Sequence, residues 1–150
     1  MSKSNTWESD LLLLVFNNTT ASKIGDATGI VGSGVAGSIY ISLHTADPGE
    51  TGGQTTNETA YTNYVRVGVA RTSGGWTISG NAPTQAANAA AVTFAQCGVT
   101  GATITHAGAG TDSSGGTGKL LYSGALTSNL AVSTNISPNF AIGQLIFTED

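Results

Sequence analysis

The residues able to do chemistry in this chain are few, and they lie far apart. His44 and His106 are the only histidines. Asp47 follows the first by three positions. A metal site built from two imidazoles and a carboxylate needs both histidine strands to be neighbours with converging side chains. The spacing alone favours structural or surface histidines. Asp47, Glu50 and Glu58 could be paired as hydrolytic acids, but all three sit in or beside a turn-rich stretch. Acids there are solvated by default, whereas a general acid needs burial to tune its pKa. Cys97 is the single cysteine, with no basic neighbour in sequence, and reads as an inert buried thiol. Ser113-Ser-Gly-Gly-Thr-Gly-Lys-Leu120 approaches a phosphate loop but fails it. That pattern requires Gly where Ser113 stands and Ser or Thr where Leu120 stands. A hairpin loop explains these glycines. No G-x-S-x-G elbow occurs, and Gly32-Ser33-Gly34 has the wrong spacing. Arg66 and Arg71 lie an odd number of positions apart on one expected strand, so they face opposite sides. The expectation is a non-enzyme without cofactor or metal.

The composition points the same way. Charged residues make up 9% of the 150 positions, against about 25% in an average soluble protein. Glycine is abundant at 21 residues, and mean hydropathy is +0.07. A surface so poor in charge suits a protein whose faces are covered by neighbours. The net charge is −4, and the five cations Lys3, Lys23, Arg66, Arg71 and Lys119 are scattered, which argues against nucleic acid. The longest apolar run, Leu11 to Phe16, is too short to span a bilayer, and the opening residues do not read as a signal peptide. The chain is therefore expected in a cytoplasm or in something assembled there.

The elements that would carry these residues are short strands. One helix is expected near residues 6–16, capped by Asn5 with Glu8 three positions on. Trp7, Leu11, Leu14 and Val15 share one face of it, and Leu12, Leu13 and Phe16 widen the stripe. The helix either packs on its own domain or docks on another subunit, which makes Trp7, Leu11, Leu14 and Val15 the interface candidates. A long Gly/Ser/Thr-rich loop follows from Asn17 to Ser38. Strands are then read at Ser38–His44, Tyr61–Arg71, Trp76–Ser79, Ala91–Phe94, Ala102–Ala109, Lys119–Leu126, Leu130–Thr134 and Gln144–Thr148. Gly74-Gly75 reads as the turn of a hairpin between the second and third of these. Ala86 to Ala91 could form a helical turn. The expected core is Ile39, Ile41, Leu43, Val65, Val67, Val69, Phe94, Leu145 and Phe147. The fold class is all-β: a single jelly-roll-like β-sandwich of about eight short strands over residues 38–150, with residues 1–37 as an N-terminal helix and loop arm.

Several stretches carry a resemblance when taken as a set. They are Tyr40-Ile-Ser-Leu-His-Thr-Ala-Asp-Pro-Gly49, Thr55-Thr-Asn-Glu58, Tyr61-Thr-Asn-Tyr-Val-Arg-Val67, Gly75-Trp76, Thr105-His106-Ala-Gly, Lys119-Leu-Leu-Tyr-Ser-Gly-Ala-Leu126 and Phe140-Ala-Ile-Gly-Gln-Leu145. Together they resemble a family of small structural proteins of tailed bacteriophages, commonly labelled tail fibre proteins. The resemblance covers nearly the whole chain after about residue 35. It implies a virion component assembled in the host cytoplasm, and it brings no catalytic or metal-binding residue. Small size, few charges and an apolar N-terminal segment lead to the expectation of a capsid decoration (cement) protein, a homotrimer seated on the major capsid protein. The alternative is a tail-associated fibre, collar or baseplate protein bound to other tail proteins.

Overall fold

A computed structural model describes residues 2–80 and 83–149; the terminal residues of the two expected segments, Met1 and Asp150, lie outside them. The chain is all-β with one helix. The elements are α1 (Asn5–Asn17), β1 (Ser38–His44), β2 (Val67–Ala70), β3 (Trp76–Ser79), β4 (Thr84–Asn88), β5 (Val92–Thr93), β6 (Ala102–Gly110), β7 (Leu120–Val132), β8 (Asn139–Phe140) and β9 (Ile146–Glu149). They form three sheets, ordered β2-β1-β6-β7, β3-β4-β9 and β5-β8. Two compact units emerge, each made of separated stretches: residues 1–38, 70–91 and 140–150 in one, and 39–69 and 92–139 in the other.

In the first unit α1 packs on β3 and β4. Its N-cap is Ser4, one residue before the expected Asn5, and the Ser4 hydroxyl accepts the Trp7 N–H at 3.4 Å. Leu12 and Phe16 are fully buried, and with Glu8 they make the inward stripe at i, i+4 and i+8. Phe16 meets Trp76 edge-on at 4.8 Å and stacks on Phe147 at 5.2 Å. The β4 stretch, expected as a possible helical turn, is a strand whose inward residues Thr84, Ala86 and Asn88 are small enough to let the helix approach. Thr84 also donates its hydroxyl to the buried Glu8 carboxylate at 3.4 Å. Asn88 clips the following segment in place. Its amide donates to the Ala90 and Ala141 carbonyls, and its oxygen accepts the Leu145 N–H at 2.9 Å.

The other end of α1 is closed by charge. Asn18, at φ 54°, turns the chain and donates its N–H to the Leu13 carbonyl. Arg71 then donates to the carbonyls of Val15 at 2.6 Å and Leu14 at 2.7 Å, and to Ala36 at 3.0 Å. A guanidinium thus sits on the electronegative end of the helix and satisfies carbonyls the helix leaves open.

The second unit is organised by the four-stranded sheet. β1 and β6 run antiparallel in the register Tyr40↔Gly110, Ser42↔Gly108 and His44↔His106. As an inner strand, β1 buries both faces: Ser42 and His44 are as inaccessible as Ile41 and Leu43. This departs from the half-buried strand read from its alternation. β6 and β7 form a hairpin around residues 111–119, as the glycines there predict. The expected strands at Lys119–Leu126 and Leu130–Thr134 are one strand, β7.

Two other expectations are corrected. Gly74-Gly75 does not join a hairpin, because β2 and β3 belong to different sheets and β3 pairs with β4 instead. The stretch before β2 is not strand: Tyr64 N–H closes a turn on the Tyr61 carbonyl, and Asn63 takes a positive φ of 77°. That breaks the period-2 pattern, so Val65 is 60% exposed while Arg66 turns inward. Val67 and Val69 are only half-buried, whereas Ile39, Ile41, Leu43, Phe94, Leu145 and Phe147 are core as expected.

Truncating Phe16 to Ala removes a ring that touches two others at the centre of the first unit. The expected cost is about 3–5 kcal/mol, a typical value for a buried phenylalanine. Urea unfolding followed by tryptophan fluorescence measures it.

Candidate functional site

Three of the stretches that carry the family resemblance, Tyr40 to Gly49, Thr55 to Glu58 and Tyr61 to Val67, belong to the second unit, where β1 runs out into the loop 45–59. The loop leaves β1 through an Asx turn, with Gly49 N–H donating to the Asp47 carboxylate at 2.8 Å. Gly49 has φ 70°, a conformation glycine adopts without strain. The loop returns alongside β1, where Thr45 N–H donates to the Asn57 carbonyl and Thr59 N–H to the Leu43 carbonyl, both at 2.9 Å.

Glu58 sits at the close of this loop and is not a solvated acid, as its setting in the sequence suggests. Arg66 grips it through both oxygens, Nε to Oε1 and Nη2 to Oε2, each at 2.7 Å. Tyr64 donates its hydroxyl to the same Oε1 at 2.8 Å and accepts the Leu43 N–H at 3.0 Å. The Arg66 side chain is only 2% exposed. Its remaining donors reach the carbonyls of Asp112 at 3.0 Å and Gly115 at 2.9 Å, in the β6–β7 loop. The hydrogen bonds it donates to Glu58 raise the guanidinium pKa above its ordinary value. Burial raises the Tyr64 phenol, which stays protonated as a donor. One bidentate pair thus ties two loops and the rim of the sheet together.

Gln54 adds a second tie between the same loops. It is fully buried, accepts the Asp112 N–H at 2.9 Å and donates to the Asp112 carbonyl at 3.4 Å. Gly110 lies against it so closely that a Cβ there would fall 2.1 Å from the Gln54 carboxamide carbon.

His44 is held in one tautomer. Its Nδ1 faces the Thr56 carbonyl at 2.8 Å and must donate, so Nε2 accepts the Ser42 hydroxyl at 2.8 Å. Burial lowers its pKa below 6.5, against upward pulls from the Thr56 carbonyl and Glu58. His106 is its direct cross-strand partner, so the neighbouring strands that a histidine metal site requires do exist. The rings nonetheless bond elsewhere: His106 Nδ1 lies 2.8 Å from the Thr105 hydroxyl. Among the described residues, no group of three or more His, Cys, Asp or Glu side chains is placed to hold a metal ion.

Outside this network, Asp47, Glu50, His106 and β7 residues Leu120 to Ala125 line an open groove of about 580 Å³. Cys97 is buried, with its thiol 3.4 Å from the Thr100 carbonyl. In the first unit Trp7, Leu11, Leu14 and Val15 are all half-buried, and the inward face of α1 is the stripe of Glu8, Leu12 and Phe16. Sequence reasoning missed the Glu58–Arg66 pair. The available signal was two opposite charges close together in a chain with very few, flanking a tyrosine.

Replacing Arg66 with Met strands a partly buried carboxylate and frees two loops, at an expected cost of about 3–5 kcal/mol by chemical denaturation. His44 gives a pH signature. Its unfolded form takes a proton near pH 6.5 while the folded form resists, so its contribution is complete above about pH 6.5 and falls away below it. Stability measured between about pH 5 and 6.5 should decline with falling pH, and His44→Gln should flatten that decline.

No curated protein matches the chain. Among the described residues no helix is long and apolar enough to cross a membrane. A family model described as Podophage GP4 fiber I protein gp80 matches residues 2–148, with Glu58, Tyr64 and Arg66 included, and the chain belongs to that family of phage virion structural proteins.

Proposed function

We propose that this protein is a fibre-type component of the phage tail, non-catalytic, assembling with copies of itself and with other tail proteins. The observation that carries this reading is the family match along residues 2–148. The chemistry of the second unit supports it. Two of the groups that could perform acid–base work are committed to structural partners: Glu58 to Arg66 and Tyr64, and His44 to Thr56 and Ser42. Such a network fixes the shape of two surface loops, which suits a recognition or assembly surface.

Capsid decoration is the second reading. It is favoured by a chain with no fixed-period repeat and by exposed apolar residues such as Val31, Val35 and Val99, which a neighbouring shell could cover.

Copy number separates the two. A tail component obeys the small cyclic symmetry of the tail and is expected at about three to a few tens of copies per virion. Densitometry of purified virions against the major capsid protein gives that number. Removal of the protein should abolish adsorption while leaving heads as resistant to heat and chelator as before. Copies in the hundreds, with heads that release DNA more readily, would establish the decoration reading instead.

A further inference from the structure

We propose that the outer edge of β7 is a self-association surface, on which a second copy of this chain pairs its own β7 antiparallel about a two-fold axis. β7 is the last strand of its sheet, with β6 on one side and, among the described residues, no strand on the other. A free edge carries a row of backbone donors and acceptors and templates a further strand unless it is blunted. Thirteen residues, Leu120 to Val132, form this edge, and none is charged or proline. The chain's nine acids and five cations all lie elsewhere. An antiparallel self-pairing of this strand therefore sets no like charges directly opposite one another.

The register narrows the contact. Pairing with β6 slips between Ile104↔Leu130 and His106↔Ala125, and again between Ala109↔Tyr122 and Gly110↔Leu120. Between these irregularities Tyr122, Ser123, Gly124 and Ala125 pair regularly with β6. Ser123, Gly124 and Ala125 are exposed, and the space a Cβ would take at Gly124 is open. Small side chains there let a second backbone come to strand distance. Centred on Gly124, the pairing places Ser123 opposite Ala125 of the partner subunit, on one face of the joined sheet. The opposite edge of the sheet, β2, has four residues. Joining β7 to it head-to-tail would leave most of β7 unpaired and would need a ring to close, whereas a two-fold contact closes on itself.

The test uses the full chain. Light scattering at about 100 μM should give a mass near 30 kDa, twice the 15.0 kDa of one copy. The double variant Ser123→Lys/Ala125→Lys should be monomeric at the same concentration, with an unchanged circular dichroism spectrum. The matching Ser123→Glu/Ala125→Glu variant should also be monomeric, and mixing the two should restore the dimer. A wild-type monomer, a trimer, or a dimer indifferent to the lysines would overturn the proposal. This outcome is independent of the virion copy number, so failure of the pairing and failure of the tail assignment are distinguishable.

Discussion

The second unit depends on one ion pair. Glu58 and Arg66 are joined through both carboxylate oxygens, and the remaining donors of Arg66 are spent on loop carbonyls. A charge so poorly exposed to water is costly unless its donors are satisfied. Here every partner comes from a segment without regular structure. The pair supplies what the apolar core cannot: a fixed path for the loops 45–59 and 111–119, which are too polar and glycine-rich to bury themselves. Gln54 and His44 extend the same principle by bonding to backbone atoms in those loops. Gly108 and Gly110 make it possible, since a Cβ at either would strike the Ser42–His44 pair or Gln54.

The first unit solves its problem with aromatic packing. Phe16, Trp76 and Phe147 form a three-ring cluster, which makes one face of α1 part of the unit's own core. Arg71 closes the helix, so two of the five cations in this charge-poor chain serve backbone carbonyls. That use of charge fits a surface otherwise built from hydroxyls, amides and glycine.

Much of this was legible in the sequence. The alternation of Ile39, Ile41 and Leu43 located β1 to the residue, and Trp76–Ser79 and the 111–119 hairpin were equally plain. The errors have physical causes. Thr84-Gln-Ala-Ala-Asn88 lacks β-branched weight beyond Thr84, and the packing of α1 above it decides its conformation. Val65 and Val67 continue an apparent strand, but the turn at Asn63 rotates Arg66 inward to meet Glu58. Local period cannot report a partner eight residues away across a turn. For the same reason the motif of Tyr40 to Val67 marked the family before its residues could be assigned roles. Their roles are structural bonds between loops, visible only once the chain is folded.

The central claim is that the Glu58–Arg66 pair holds both loops. Amide hydrogen exchange, comparing the native protein with Glu58→Gln, tests it most directly. The amides of Thr45, Thr59 and Asp112 should be protected in the native protein and exchange at least tenfold faster in the variant, while those of Asn88 and Leu145 in the first unit keep their rates. Unchanged protection at Thr45, Thr59 and Asp112 would contradict the account.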